Sequence, residues 1–137
     1  MIPESIQAGM KNTLAETLGM EIVELIPKHV VMTMPVDARH HQPMGLLHGG
    51  VSVALAETVA SVGGWFLVAE EGKVVVGQEI NANHLRSVRS GKVKAIGECI
   101  HLGRTSQVWE IKIYDENEKM ICISRCTLAV VDPLRKS

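Results

Sequence analysis

The stretch GLLHGGVSVALAETVASVGG, residues 45 to 64, restricts the possible folds more than any other part of the chain. It reads as one long helix, and small residues recur through it, from Gly49 and Gly50 through Ala54 and Ala60 to Gly63 and Gly64. A helix apolar on nearly every side must be buried, and small side chains let other backbones come close. The run Val51 to Ala69 rivals a membrane span in length, but a central acid, Glu57, would cost about 3 kcal/mol in hydrocarbon. The expected solution is a soluble core helix, covered by a curved antiparallel sheet that wraps around it.

The rest of the chain supplies that sheet. Residues 3 to 17 place Ile6, Met10 and Leu14 at helical spacing, which predicts one short amphipathic helix ended by Gly19. MEIVELIP (20 to 27) and HVVMTMPV (29 to 36) predict a hairpin turning at Pro27-Lys28. DARHHQPMG (37 to 45) is a polar loop, with His40 and His41 expected at its surface. The long helix is expected from about Leu47 to Val68, followed by strands near 73 to 83, 92 to 102, 106 to 114 and 119 to 131. In QVWEIKIYD, the alternation of Trp109, Ile111 and Ile113 with Glu110 and Lys112 gives one buried and one wet face. The whole is an α+β chain forming a single domain over residues 1 to 137.

Composition narrows the function. A net charge of −1, with two Trp, one Tyr and one Phe, gives neither the basic field nor the stacking rings of a nucleic-acid binder. Cys99, Cys122 and Cys126 lie in strand-like apolar contexts without metal-ligand spacing, and the N-terminus lacks the order of a signal peptide. A cytoplasmic protein is expected, with no membrane partner. His40, His41 and His48 have no carboxylate or Cys to complete a zinc set.

Several motifs together resemble a known family: Gln42-Pro43, His48-Gly49-Gly50 with Glu57 eight residues after the first Gly, NANHLRS from Asn81 to Ser87, and His101-Leu-Gly103. In these the sequence resembles the hotdog-fold acyl-CoA thioesterases of the phenylacetate-pathway and 4-hydroxybenzoyl type. It is most similar to the branch holding 1,4-dihydroxy-2-naphthoyl-CoA thioesterases of menaquinone synthesis and carrier-protein proofreading thioesterases. The resemblance implies a hotdog fold, hydrolysis of an acyl-CoA, an aryl one by likeness to the naphthoyl and benzoyl enzymes, and coenzyme A as part of the substrate rather than a cofactor. It also implies that the acid attacks the thioester or activates water. Gly77, His84, Leu85, Arg86 and Ser87, with His101, Gly103, Arg104, Thr105 and Ser106, would then form the walls and mouth of a coenzyme channel.

The residues carry their own chemistry. Among Val, Leu and Ala, desolvation should raise the pKa of Glu57 and make it a reactive base or nucleophile. Gly49, at the start of the helix, offers a free backbone N–H to a carbonyl gaining negative charge. His48 either orients the carbonyl or the leaving sulfur, or is a satisfied structural histidine. Gln42 either bonds the acyl end or the water, or steadies its turn. Ser61, one turn beyond Glu57, either holds water or the carboxylate, or bonds back to its own helix. A basic cluster of His84, Arg86, Arg89, Lys92, Lys94 and Arg104 suits the phosphates of coenzyme A, with Ser87 and Thr105 as further donors.

Gly49 and Glu57 are eight residues, or about 12 Å, apart along a helix, yet one carbonyl must touch both. Two antiparallel copies in a symmetric homodimer would bring Gly49 of one to Glu57 of the other, and the resemblance extends this to a homotetramer. Two other readings are a hotdog hydratase or dehydratase, whose His and PG patterns do not appear in the sequence, and a non-catalytic acyl-CoA-binding domain.

Overall fold

The computed structural model describes residues 2–134. The predicted N-terminal helix is in fact two: α1 (Glu4–Gly9) and α2 (Leu14–Leu18). The break follows from turn chemistry that the apolar spacing hid. Asn12 takes the left-handed conformation, φ 59°, and Thr13 Oγ1 donates to Met10 O at 2.6 Å. Ile6, Ala15 and Leu18 are buried as a result, while Leu14 turns outward. Gly19, at φ 73°, ends α2 as expected, where its N–H and that of Met20 satisfy the last carbonyls.

Strands β1 (Glu21–Ile26) and β2 (His29–Val36) form the expected hairpin, with Lys28 at φ 68° in its two-residue turn. Helix α3 (Gly49–Val68) follows, then β3 (Val74–His84), β4 (Gly91–Leu102), β5 (Ser106–Tyr114) and β6 (Met120–Val131). The sheet order is β1-β2-β4-β5-β6-β3, antiparallel throughout. Helix α3 packs against β2 to β6, so the sheet curls around it as predicted.

Val30, Met32 and Met34 of β2, Leu55 and Val59 of α3, and Trp109 of β5 are fully buried. Close approach is literal here, since a methyl group on Gly63 would overlap the Trp109 ring. Gln107 is buried beside it, donating to Gly64 O at 3.2 Å and accepting from Trp109 Nε1 at 2.8 Å. By length and composition Gly49–Glu71 would pass for a membrane span, but half of its most apolar stretch is buried within the fold.

Two features remain uncovered. On α3, Ala54, Glu57, Thr58, Ser61 and Trp65 recur at helical spacing and are only half-buried. At the sheet edge, β3 is eleven residues long and largely exposed, with an irregularity in its pairing between Gly77 and Glu79.

Candidate active site

The loop 37–48 shapes the start of α3. His40 is not at the surface, as the sequence suggested, but fully buried: Nε2 bonds Leu18 O at 2.8 Å and Nδ1 accepts from Asp37 N at 3.1 Å. It serves as a packing and bonding post for the loop. His41 reaches Arg89 O at 2.7 Å. Gln42 Oε1 accepts from Met44 N (2.5 Å) and Leu46 N (3.4 Å), so its carbonyl steadies the turn and its NH2 stays available.

His48 is the N-cap of α3, and its Nδ1 accepts the Gly50 N–H at 2.8 Å. That bond fixes the proton on Nε2, which points outward from an exposed ring. Gly49 N–H, by contrast, donates to no partner among the described residues. It is an orphan donor at the positive end of a twenty-residue helix.

A cleft of about 320 Å³ opens over this amide, lined by Gln42, Gly49, Ser52, His84, Arg86 and Ser87, with Leu85 beside them. The His84 ring lies over the helix start: a methyl on Gly49 would sit 2.8 Å from His84 Nε2. Ser52 was not singled out in the sequence. It is 3% exposed, and its only sequence signal is a polar side chain one turn beyond Gly49.

Glu57 and Ser61 lie elsewhere, in a groove of about 420 Å³ with Met10, Leu14, Ala54 and Val62. The expected enclosure of Glu57 is not found, because the single chain leaves it half-buried in an open groove. The reason is topological: Glu57 stands where the sheet's cover of α3 ends, at the edge strand β3. Ser61 does not bond back to its helix, whereas neighbouring Thr58 does, donating to Ala54 O at 2.7 Å. The Glu57 carboxylate rests against the bare Cα of Gly77. Behind it lies fully buried Cys126, whose thiol is pushed up to about 11 by burial and by the Glu57 and Glu79 carboxylates.

The basic residues do not form one cluster. His84 pairs with Cys122 at one end of β3, and Gly77 pairs with Leu128 toward the other, where Ser106 pairs with Ala129. His84 to Ser87 and exposed Arg89 therefore stand at one end. Gly77 and the turn from Gly103 to Ser106 stand at the other, about 23 Å away along the strand. There Gly103 N–H donates to Ser106 O at 2.8 Å, and the His101 ring packs at Gly103. Lys92 and Lys94 lie exposed on β4, which is not adjacent to β3. Among the described residues, no three His, Cys, Asp or Glu side chains are placed to hold a metal ion.

The family model described as the thioesterase superfamily matches residues 44–122. The chain is 54% identical over 117 residues to a 1,4-dihydroxy-2-naphthoyl-CoA hydrolase of Listeria monocytogenes, covering 85% of this chain and 94% of that one. It is 49% identical over 131 residues to the proofreading thioesterase EntH of Cronobacter turicensis, covering 96% and 95%. A crystal structure of a thioesterase from Haemophilus influenzae superposes with TM-score 0.89 at 51% identity, over 98% of this chain and 93% of that one.

Proposed function

The chain belongs to the thioesterase superfamily, and from that premise we propose that it hydrolyses acyl-CoA thioesters, aryl ones in particular, to the free acid and coenzyme A. The observation that carries the reading is the division of the chemistry: an amide donor at Gly49 with no acceptor among the described residues and a carboxylate at Glu57, on one helix but in separate clefts. Neither cleft can do the reaction alone. The half-buried stripe of α3 and the open edge of β3 are where a second copy would bind. Antiparallel pairing of two β3 strands would set His84 to Ser87 of one copy beside Gly77 and the Gly103 to Ser106 turn of the other. The minimal active unit is thus a homodimer with two shared sites, and two such dimers make a tetramer.

In each shared site Gly49 N–H receives the developing oxyanion, a donor that strengthens as charge builds in the transition state. Glu57 either removes a proton from the attacking water or attacks the carbonyl carbon itself, the acyl anhydride then being hydrolysed. In both routes the C–S bond breaks and coenzyme A leaves as thiolate. His48 Nε2–H and the Gln42 amide are free to orient the carbonyl, and the Ser61 hydroxyl to hold the water or the carboxylate. Arg86, Ser87, Arg89, Arg104 and Thr105 would meet the phosphates, and His84, Leu85, His101, Gly103 and Ser106 would wall the channel. A thioester is already activated, so the reaction needs no metal or redox cofactor. The preference for aryl groups rests on likeness to the Listeria hydrolase, and a cytoplasmic location on the three free cysteines.

The test is E57Q with a panel of aryl- and alkyl-CoA esters, reading released thiol and, separately, acyl-CoA binding. Turnover should fall by at least about 100-fold while binding persists. Undiminished turnover refutes the reading, and a wild type that binds without turnover identifies a non-catalytic binding domain.

A further inference from the structure

Gly77 is the only glycine in β3, and a glycine inside a strand weakens it. Its backbone does not explain it, because it is not among the glycines with positive φ. The space beside its Cα does. A Cβ there would overlap Glu57 Oε2 and lie 3.1 Å from Cδ, and Glu57 supplies all three of the nearest atoms. The other tight glycines of the core make room for packing side chains such as Trp109, Val59 or Leu128. Gly91 also meets a carboxylate, that of Glu116, but its φ of 89° calls for glycine in any case; Gly77 meets an acid with no such demand from its backbone.

We propose that Gly77 is a positioning residue: its bare Cα, next to the irregularity in β3 pairing, is the seat that fixes the Glu57 carboxylate for attack. This rests on the reading of Glu57 as the reacting acid. It assigns Gly77 a different task from a wall of the coenzyme channel. The seat lies on the edge strand, and the Glu57 side chain extends from α3 to meet it. Strand and helix together therefore set the carboxylate's height above the sheet.

The experiment is G77A. The overlapping atoms are the far end of a flexible side chain, so the carboxylate should swing away while the backbone stays and the fold is kept. A displacement of about 1 Å at the reacting group can cost about 100-fold. We expect kcat to fall at least about tenfold, with KM within about twofold of wild type. An unchanged kcat, or a rise in KM alone as for a channel wall, overturns the inference. A double variant with E57D adds an independent readout. The shorter Asp does not reach the seat, so G77A should slow E57D no further, and multiplying effects refute the seat. If G77A fails to fold, E57D should restore folding by removing the overlap, and failure to do so also refutes it. E57Q separates the two levels. If E57Q keeps full turnover, the functional reading falls and this inference with it; if E57Q is inactive while G77A is normal, only this inference falls.

Discussion

Gly49→Pro isolates the amide on which the proposed shared site depends. Gly49 is the first residue of α3, the one helical position where proline is well tolerated, because its N–H has no intrahelical partner. Proline also restricts the residue before it to extended conformations, and His48 is already extended, at φ −65° and ψ 131°. The ring will press on His84, 2.8 Å from a Cβ at this site, but that imidazole is exposed and can turn aside. The substitution thus removes one donor and little else. Losing one oxyanion donor costs about 10² to 10³ in kcat, or about 2.7–4 kcal/mol. Released coenzyme A thiol gives the rate, and a thermal melt should stay within a few degrees of wild type. A G49P enzyme that folds and keeps kcat within about threefold would refute the role of this amide. Coexpression with E57Q carries the test to the subunit level. Equal mixing makes half the dimers mixed, each with one intact and one doubly broken site, so activity should return to about a quarter of wild type. No recovery in mixtures shown to contain mixed dimers would refute sharing across subunits.

Three further outcomes follow from the described bonds. Q107A strands the buried Trp109 Nε1 donor and removes the bond to Gly64 O, so it should destabilise by about 3 kcal/mol, read by urea unfolding with Trp fluorescence. H48N keeps a good cap for Gly50 N–H but loses the outward Nε2–H, so stability should hold while kcat falls; H48A should lose about 1 kcal/mol as well. Burial, with the Glu57 and Glu79 carboxylates, pushes the Cys126 thiol up to about 11, from the ordinary 9.0. Its folded pKa is raised, so its contribution is complete below about pH 9 and fades as pH rises toward 11. Urea midpoints should therefore fall more steeply between pH 9 and 11 in wild type than in C126A, and equal slopes would contradict this.

Patterns with a short period were readable before any fold was known. The alternation through Trp109, Ile111 and Ile113 marks the buried face of β5, because it repeats within a few residues. The N-terminal helix was misread where Asn12 and Thr13 form a turn that apolar spacing does not register. His40 was misplaced because its burial depends on Leu18 O, twenty-two residues away.

Local chemistry alone determined that one apolar helix had to be wrapped by strands, that His48-Gly49-Gly50 began it, and that Glu57 stood too far along it to share a carbonyl with Gly49. Tertiary structure alone decided that Glu57 faces an open groove, that its carboxylate meets Gly77, and that the basic residues divide between the two ends of β3. The physical reason is that spacing along a chain fixes which face of an element a residue occupies, whereas what covers that face is set by sheet order and by contacts between residues far apart in sequence.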